Sequence, residues 1–357
     1  MKQAGIQWVR TDFDWDRVEN PEGVWHFDHL DETVAWADAA GIRLLAQLNY
    51  NVPWANPAYK HMDKWLGYVR QVVGHYRRSV RYWEVWNEPN GQWFWPSPNA
   101  AQYAVFLRET TKVIRQIDPD LRVLFGGTYG IDTGYLEAAL KAGAGDWFDV
   151  VSVHPYSTAV DNTGNDLTRL VDLMKRYHVE GKPIWITEWG WSAIGNDPRQ
   201  QQEHAVNLAI AWNIALHDSP VERIFWYEFH SEEAKPADRE HYFGLVRRDL
   251  TPRPAYLAYR ALTRARPAGS KPDAGDWWRQ GMTWPHWTRP DGKKGWAVWL
   301  WSGEADYAVT VQGPVVEAFD HLGAPLRLKV TSGKADVRLR RAPLYIVGPD
   351  HLSFEKK

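Results

Sequence analysis

The 357-residue chain contains no cysteine, which excludes disulfides, thiolate nucleophiles and Cys-ligated metals. It has no unbroken apolar run of about 18 residues, so the sequence offers no membrane-spanning helix. An excess of either charge is missing too: 42 basic against 44 acidic residues leave a formal charge of −2. That gives no electrostatic argument for nucleic acid or an anionic membrane as a partner. No glycine-rich phosphate loop follows a strand, because Phe125-Gly126-Gly127-Thr128 is too short to form one. No group of side chains has metal-ligand spacing, and His26, His29 and His204 fall on separate elements. No cofactor and no metal are therefore expected. There is no internal repeat of 20–50 residues beyond a β–α alternation, and no low-complexity tract. No signal peptide is visible at Met1, which fits a cytoplasmic protein or a secreted one with its N-terminus missing. The sequence carries no signal for oligomeric state.

What the chain has in excess is tryptophan, 23 residues in a sequence that is 44% hydrophobic and 14% aromatic. Flat rings suit the apolar C–H faces of sugars, but they also fill large cores and helix–strand interfaces. Most of these tryptophans are expected to do the second.

Apolar runs alternate with amphipathic ones along the first 265 residues. Seven short strands are predicted, at Ile6, Ile42, Trp83, Val123, Val150, Ile184 and Ile224. Between them lie helices from Asp28 to Gly41, Tyr59 to Tyr76, Ala101 to Ile117, Tyr135 to Ala142, Leu167 to Tyr177 and Gln200 to Leu216, with a closing helix from Ala255 to Leu262. The strands are continuously apolar, as in a parallel sheet covered by helices on both faces. The expectation is an α/β fold, a (β/α)8 TIM-type barrel over residues 1–265. Only seven strands are read, and Met1 to Gly5 resembles the tail of a helix. The expectation is therefore a barrel whose first strand is missing from this chain. After a Pro- and Gly-rich linker from Arg266 to Asp276, short strands separated by turns predict a C-terminal antiparallel β-sandwich over residues 277–357. They lie at Trp296–Trp301, Tyr307–Val311, Val315–Phe319, Leu326–Val330, Ala335–Leu339 and Leu344–Val347. The sandwich is expected to be a stabilising appendage.

Two stretches share one design. Trp83-Glu84-Val85-Trp86-Asn87-Glu88-Pro89-Asn90 and Ile184-Trp185-Ile186-Thr187-Glu188-Trp189-Gly190 each end an apolar strand in a glutamate. In a βα barrel the reacting groups sit at the C-terminal strand ends. Three βα units separate the two glutamates, which sets them on facing walls of one barrel mouth. Paired carboxylates across a glycosidic bond can divide its cleavage, one protonating the leaving oxygen and the other meeting the oxocarbenium-like carbon. Pro89 is expected to keep Glu88 extended, and Asn87 can donate to a sugar 2-hydroxyl.

Trp86-Asn87-Glu88-Pro89-Asn90 and Thr187-Glu188-Trp189-Gly190 resemble the two signatures of the clan A (4/7 superfamily) retaining glycoside hydrolases. The texture is most like family 39 and its relatives, on Val9-Arg10-Thr11-Asp12-Phe13, the Glu19, Gly23 and Trp25 loop, Val153-His154-Pro155-Tyr156 and the C-terminal sandwich. Families 5 and 51 share the two glutamate motifs. The resemblance implies that Glu88 is the acid/base and Glu188 the nucleophile of a retaining double displacement on an oligo- or polysaccharide, of β-xylosidase or related β-glycosidase type. It further implies that Arg10 keeps the nucleophile charged, that His154 and Tyr156 contact sugar and nucleophile, and that Trp226 forms a platform under the sugar. Tyr227 and Glu228 lie beside that platform. Trp54, Trp93 and Trp95 are candidates for outer subsites. The alternatives are a carbohydrate-binding or weakened barrel protein, and an endo-acting exopolysaccharide hydrolase.

Overall fold

The computed structural model describes residues 1–156, 159–217, 220–235, 237–279 and 281–357. They form two compact units: one of residues 6–189 and 220–225, the other of residues 1–5, 190–219 and 226–357.

The first unit carries the parallel strands. They are β1 (Trp8–Asp14), β2 (Arg43–Asn49), β3 (Tyr82–Val85), β4 (Arg122–Phe125), the two-residue β5 (Thr128–Tyr129), β6 (Val151–His154), β7 (Ile184–Trp189) and β8 (Val221–Trp226). The order is β1-β2-β3-β4 in one sheet and β5-β6-β7-β8 in the other, with a parallel bridge from Leu124 to Val150 joining them. Register follows directly: Leu48 of β2 lies beside Val85 of β3, which lies beside Phe125 of β4. Helices α1 (Trp15–Val18), α2 (Asp28–Ala40), α3 (Met62–Tyr76), α4 (Ala100–Ile117), α5 (Thr133–Lys141) and α6 (Thr163–Arg176) connect them. Their ends are chemically marked. Asn99 caps α4 by accepting from Gln102 N, and Gly41 closes α2 in a left-handed conformation at φ 65°, where a side chain would be strained.

This is the expected barrel with its seven long strands. Central strands are fully covered, whereas β1 and β8 are part-exposed along much of their length. No backbone pairing joins β1 to β8 among the described residues. Side chains span the two instead, the Arg223 guanidinium lying 4.4 Å from the Trp8 ring centre. Leu45, Leu124, Val150, Trp185 and Phe225 form one apolar cluster, with Trp8 and Tyr82 packed on it. The polar side chains described below gather at the C-terminal ends of β3, β6 and β7 instead.

The second unit holds α7 (Pro198–Ala215) and α8 (Pro254–Ala265) and the antiparallel strands. One sheet runs β10 (Trp278–Arg279), β11 (Met282–Thr283), β13 (Lys294–Leu300), β12 (His286–Thr288), β9 (Lys271–Pro272), with β17 (Leu344–Gly348) on β13 and β15 (Glu317–Asp320) on β17. The other runs β16 (Lys334–Leu339), β14 (Ala305–Gln312), β18 (His351–Lys356). Trp296, Val298, Val309, Val337, Ile346 and Leu352 fill the space between, the alternating inward residues of a sandwich. Leu326–Val330, expected as a strand, forms none; Leu326 and Val330 are exposed, and Leu328 is partly buried against the sandwich core. β18 was not anticipated, because its polar alternation, His351-Leu352-Ser353-Phe354-Glu355-Lys356, reads as a tail until Leu352 and Phe354 are seen to turn inward.

Candidate active site

Glu88 stands just beyond β3, and its backbone departs from the extended conformation expected from Pro89. Its φ is 42°, and that of Trp86 is 74°. Proline does exclude the right-handed helical region, but two hydrogen bonds select the left-handed one. The Glu88 N–H donates to Gly127 O at 2.9 Å, and its carbonyl accepts from Gly91 N at 2.8 Å. Two non-glycine residues held at positive φ cost roughly 1–3 kcal/mol each, a strain that persists where the surroundings over-determine it. The two glycines after β4 allow the approach. A Cβ on Gly126 would stand 2.5 Å from Val85 O, and one on Gly127 2.0 Å from His154 Nε2. These glycines are where the sequence shows Phe125-Gly126-Gly127-Thr128, and close packing is what they provide.

Arg10, on β1, divides its three nitrogens among three partners. Nη1 donates to Glu188 Oε2 at 3.0 Å, Nη2 to Asn87 Oδ1 at 2.8 Å, and Nε to Glu84 Oε2 at 2.6 Å. Burial opposes the charge on Arg10, but Glu84 and Glu188 outweigh it and hold its pKa above the ordinary arginine value. Asn87 Oδ1 also accepts from Gln47 Nε2 at 2.8 Å. With its oxygen engaged twice, Asn87 keeps its amide nitrogen as the donor available to a sugar hydroxyl.

Glu84 is the functional residue that sequence reasoning missed. It is fully buried in β3. Its Oε1 accepts from Thr187 Oγ1 at 2.8 Å, from Gly127 N at 3.2 Å and from Ser152 Oγ. Burial alone would raise its pKa, but Arg10 first, then His154 and Ser152, bring it below the usual carboxylate value. The signal was present: an acid inside an apolar strand must be paired, and Arg10 on β1, two strands away, is the matching cation.

His154, at the end of β6, is fully buried and ties the halves together. Its Nδ1 lies 2.9 Å from Glu88 Oε1 and 3.9 Å from Glu188 Oε2, and its Nε2 lies 3.0 Å from Thr187 Oγ1. Tyr156 Oη donates to Glu188 Oε1 at 3.0 Å. Both oxygens of Glu188 are thus fixed, one by Arg10 and one by Tyr156. Glu88, His154 and Glu188 offer ligating atoms that all lie within 4.8 Å of one another. That spacing would admit a cation, but the Arg10 guanidinium already sits against Glu188, and a second positive charge there is opposed.

The structure brings Arg10, Asn87, Glu88, His154, Tyr156 and Glu188 together. The outer tryptophans separate. Trp93 is 70% exposed, whereas Trp95 is 0% exposed. Trp95 stacks on Tyr59 at 4.7 Å, meets Trp86, Tyr103 and Phe106 edge-on, and donates to Gln102. As an outer subsite Trp95 is therefore corrected to a core residue, since no face of its ring is open. Trp54, half-buried on the short turn Pro53–Ala55, meets Trp15 edge-on at 5.4 Å. Trp226 and Glu228 belong to the second unit. There Trp226 donates from Nε1 to His204 Nε2 at 2.9 Å and stacks on Trp191 at 5.9 Å. Glu228 is half-buried, its carbonyl accepting from Leu245 N at 2.9 Å.

The model of the cellulase family, glycosyl hydrolase family 5, matches residues 1–226. A β-xylosidase of Caldicellulosiruptor saccharolyticus is 25% identical over 218 residues, 55% of this chain and 44% of that protein. A β-xylosidase of Geobacillus stearothermophilus is 31% identical over 110 residues, 28% of this chain and 21% of that protein. The matched region spans less than half the length of these curated relatives. Among solved structures, a family 39 glycoside hydrolase from the gut symbiont Bacteroides cellulosilyticus WH2 superposes with a TM-score of 0.83 at 22% identity, over 97% of this chain and 76% of that one. A monomeric β-xylosidase from Caulobacter crescentus CB15 gives 0.72 at 17% identity, over 98% and 90%. The chain belongs to the cellulase family of glycosyl hydrolases, family 5, in clan A, with a fold like that of family 39 enzymes.

Proposed function

We propose that this chain hydrolyses β-glycosidic bonds of oligo- or polysaccharides with retention of configuration, as a β-xylosidase-like glycosidase. Glu88 is the acid/base and Glu188 the nucleophile. The observation that carries this reading is their separation: a carboxylate oxygen of Glu88 and one of Glu188 lie within 4.8 Å. Retaining pairs stand about 5–5.5 Å apart, whereas inverting pairs need about 6.5–9.5 Å to admit a water.

In the first step a Glu188 oxygen bonds to the anomeric carbon as the bond to the leaving oxygen breaks, and Glu88 delivers its proton to that oxygen. Arg10 and Tyr156 orient the attacking carboxylate. The Asn87 amide meets the sugar 2-hydroxyl, a contact that strengthens as the oxocarbenium character develops. In the second step Glu88, now a carboxylate, takes a proton from water. The water oxygen bonds to the anomeric carbon and Glu188 is released. The chemistry lies in residues 1–265, and residues 277–357 serve as an appendage.

The test is Glu188→Ala assayed on aryl β-glycosides. Hydrolysis should fall to background, and azide should restore turnover with a glycosyl azide of inverted configuration. Wild-type turnover by that variant would end the assignment. Sugar binding without turnover by the unaltered protein, across pentosides, hexosides and polysaccharides, would make it a binding protein.

A further inference from the structure

The ring of His154 is 0% exposed and touches two side chains that differ in what they can give it. Its Nδ1 lies 2.9 Å from Glu88 Oε1, and its Nε2 lies 3.0 Å from Thr187 Oγ1. A neutral imidazole carries one hydrogen, on one nitrogen or the other. The nitrogen that holds it decides whether the ring donates to the acid/base or accepts from it.

The partners of Thr187 settle which. Glu84 is a carboxylate, because Arg10, His154 and Ser152 outweigh the burial that opposes its charge, and a carboxylate has no hydrogen to give. Thr187 Oγ1 lies 2.8 Å from Glu84 Oε1. The single hydroxyl hydrogen belongs between them. Without it, a lone pair would face a buried negative oxygen and a charge-assisted hydrogen bond would go unmade. Ser152 Oγ touches both Glu84 Oε1 and Thr187 Oγ1, so its own hydrogen also stays on that side. A lone pair of Thr187 is left facing His154. The ring hydrogen is therefore on Nε2, and Nδ1 presents a lone pair to Glu88. Backbone encloses the same edge of the ring, since a Cβ on Gly127 would stand 2.0 Å from Nε2. Thr187 is the partner that Nε2 finds among the described residues.

We propose that Thr187 is a positioning residue for the acid/base: anchored on Glu84, it fixes the Nε2–H form of His154, so that Nδ1 accepts the carboxyl hydrogen of Glu88 and holds it in place until the leaving oxygen arrives. The inference rests on the assignment of Glu88 as the acid. A ring in the other form would donate from Nδ1 to a Glu88 carboxylate, a hydrogen bond that favours the charged state and empties the acid. In the Nε2–H form the hydrogen between Oε1 and Nδ1 belongs to Glu88. It passes to the leaving oxygen, and the ring neither gains nor loses a proton.

The experiment is Thr187→Val, which removes the hydroxyl but none of the charged groups about the ring. Those are Glu88, Glu188 at 3.9 Å from Nδ1, Glu84, and Arg10 bound to both Glu84 and Glu188. Two probes are compared, a panel of pentosyl and hexosyl β-fluorides and the matching β-linked trisaccharides. On trisaccharides the alkaline limb of the kcat/KM profile, which reports the protonated acid, should move about one pH unit lower. Fluorides, which need little protonation to leave, should keep their rate. Thr187→Ser keeps the hydroxyl and should keep the wild-type limb. Ser152→Ala takes another donor from the same Glu84 oxygen without touching the ring; its Tm should fall and its limb should stay. Nitrogen-15 spectra of the His154 side chain read the hydrogen without turnover, on Nε2 in wild type and on Nδ1 in Thr187→Val. An unmoved limb in Thr187→Val, an equal loss on both probes, an equal shift in Ser152→Ala, or a wild-type Nε2 without hydrogen overturns the proposal. A wild type that cleaves neither probe overturns the hydrolase reading and the positioning role with it, whichever nitrogen carries the hydrogen.

Discussion

Replacing Glu84 by Gln tests whether the buried carboxylate tunes the site or merely fills it. Glu84 is fully buried, its Oε2 is 2.6 Å from Arg10 Nε, and its Oε1 accepts three donors. Two charges about 4 Å apart at an effective dielectric near 20 attract by about 4 kcal/mol. Removing one partner of a buried pair costs about 3–5 kcal/mol. Glutamine keeps one oxygen, so either Arg10 or the group of Thr187, Ser152 and Gly127 N loses its acceptor. The apparent Tm should drop by roughly 5–10 °C. The activity effect has a separate signature. With one negative charge removed, the field at the other carboxylates becomes more positive, and both limbs of the pH profile of kcat/KM move to lower pH. The rate at the optimum should fall about ten- to a hundredfold as Arg10 and Thr187 lose their fixed positions. Stability gives a third readout. Because the pKa of Glu84 is lowered in the folded chain, its contribution is complete above the unfolded value of 4.5 and is lost as pH falls through the folded one. That part of the acid sensitivity should vanish in the variant. Measured limbs that stay in place while Tm drops would refute the electrostatic role and leave Glu84 a packing residue. An unchanged Tm would refute the burial argument as well.

Three further outcomes follow from the same geometry. Gly127→Ala would place a methyl 2.0 Å from His154 Nε2, driving the ring off Glu88 and Thr187; thermal melts should show a loss of about 1–3 kcal/mol with a severe drop in kcat, whereas Gly74→Ala, which meets nothing within 4 Å in α3, should be neutral or stabilising. Burial first, then Arg253, push the pKa of His204 down to about 3 from an unfolded 6.5, so between those values the unfolded chain binds a proton that the folded chain does not, and stability falls with pH. Urea titrations at pH 6.5 and 5.0 should show wild type losing about 1.5 kcal/mol more than His204→Gln, and equal losses would count against the buried neutral imidazole. In Glu88→Ala, fluorides should be cleaved far better than trisaccharides, because fluoride needs little protonation to leave; parallel losses on both would remove Glu88 from the acid role.

What the sequence determined by itself was periodic and local. Continuous apolar runs such as Val123-Leu124-Phe125, alternating with helical stripes, specify strands buried on both faces, and hence a barrel whose mouth collects the strand ends. A glutamate placed at the end of two such runs, Glu88 and Glu188, is then already on the right rim; Arg10 and His154 came from the family resemblance rather than from the pattern. The tertiary structure decided what depends on approach between distant segments. Trp93 and Trp95 are two residues apart with the same side chain, yet one is open and the other wholly enclosed, because the turn closed by Gly91 puts them on opposite sides. Glu84 reads as one more residue of a strand until β1, β6 and β7 bring Arg10, Ser152 and Thr187 around it. Pro89 excludes one conformation for Glu88, but the choice among the rest belongs to Gly127, whose carbonyl holds the Glu88 N–H from the neighbouring strand end. Such pairings are set by strand register and loop closure, and one-dimensional pattern carries neither.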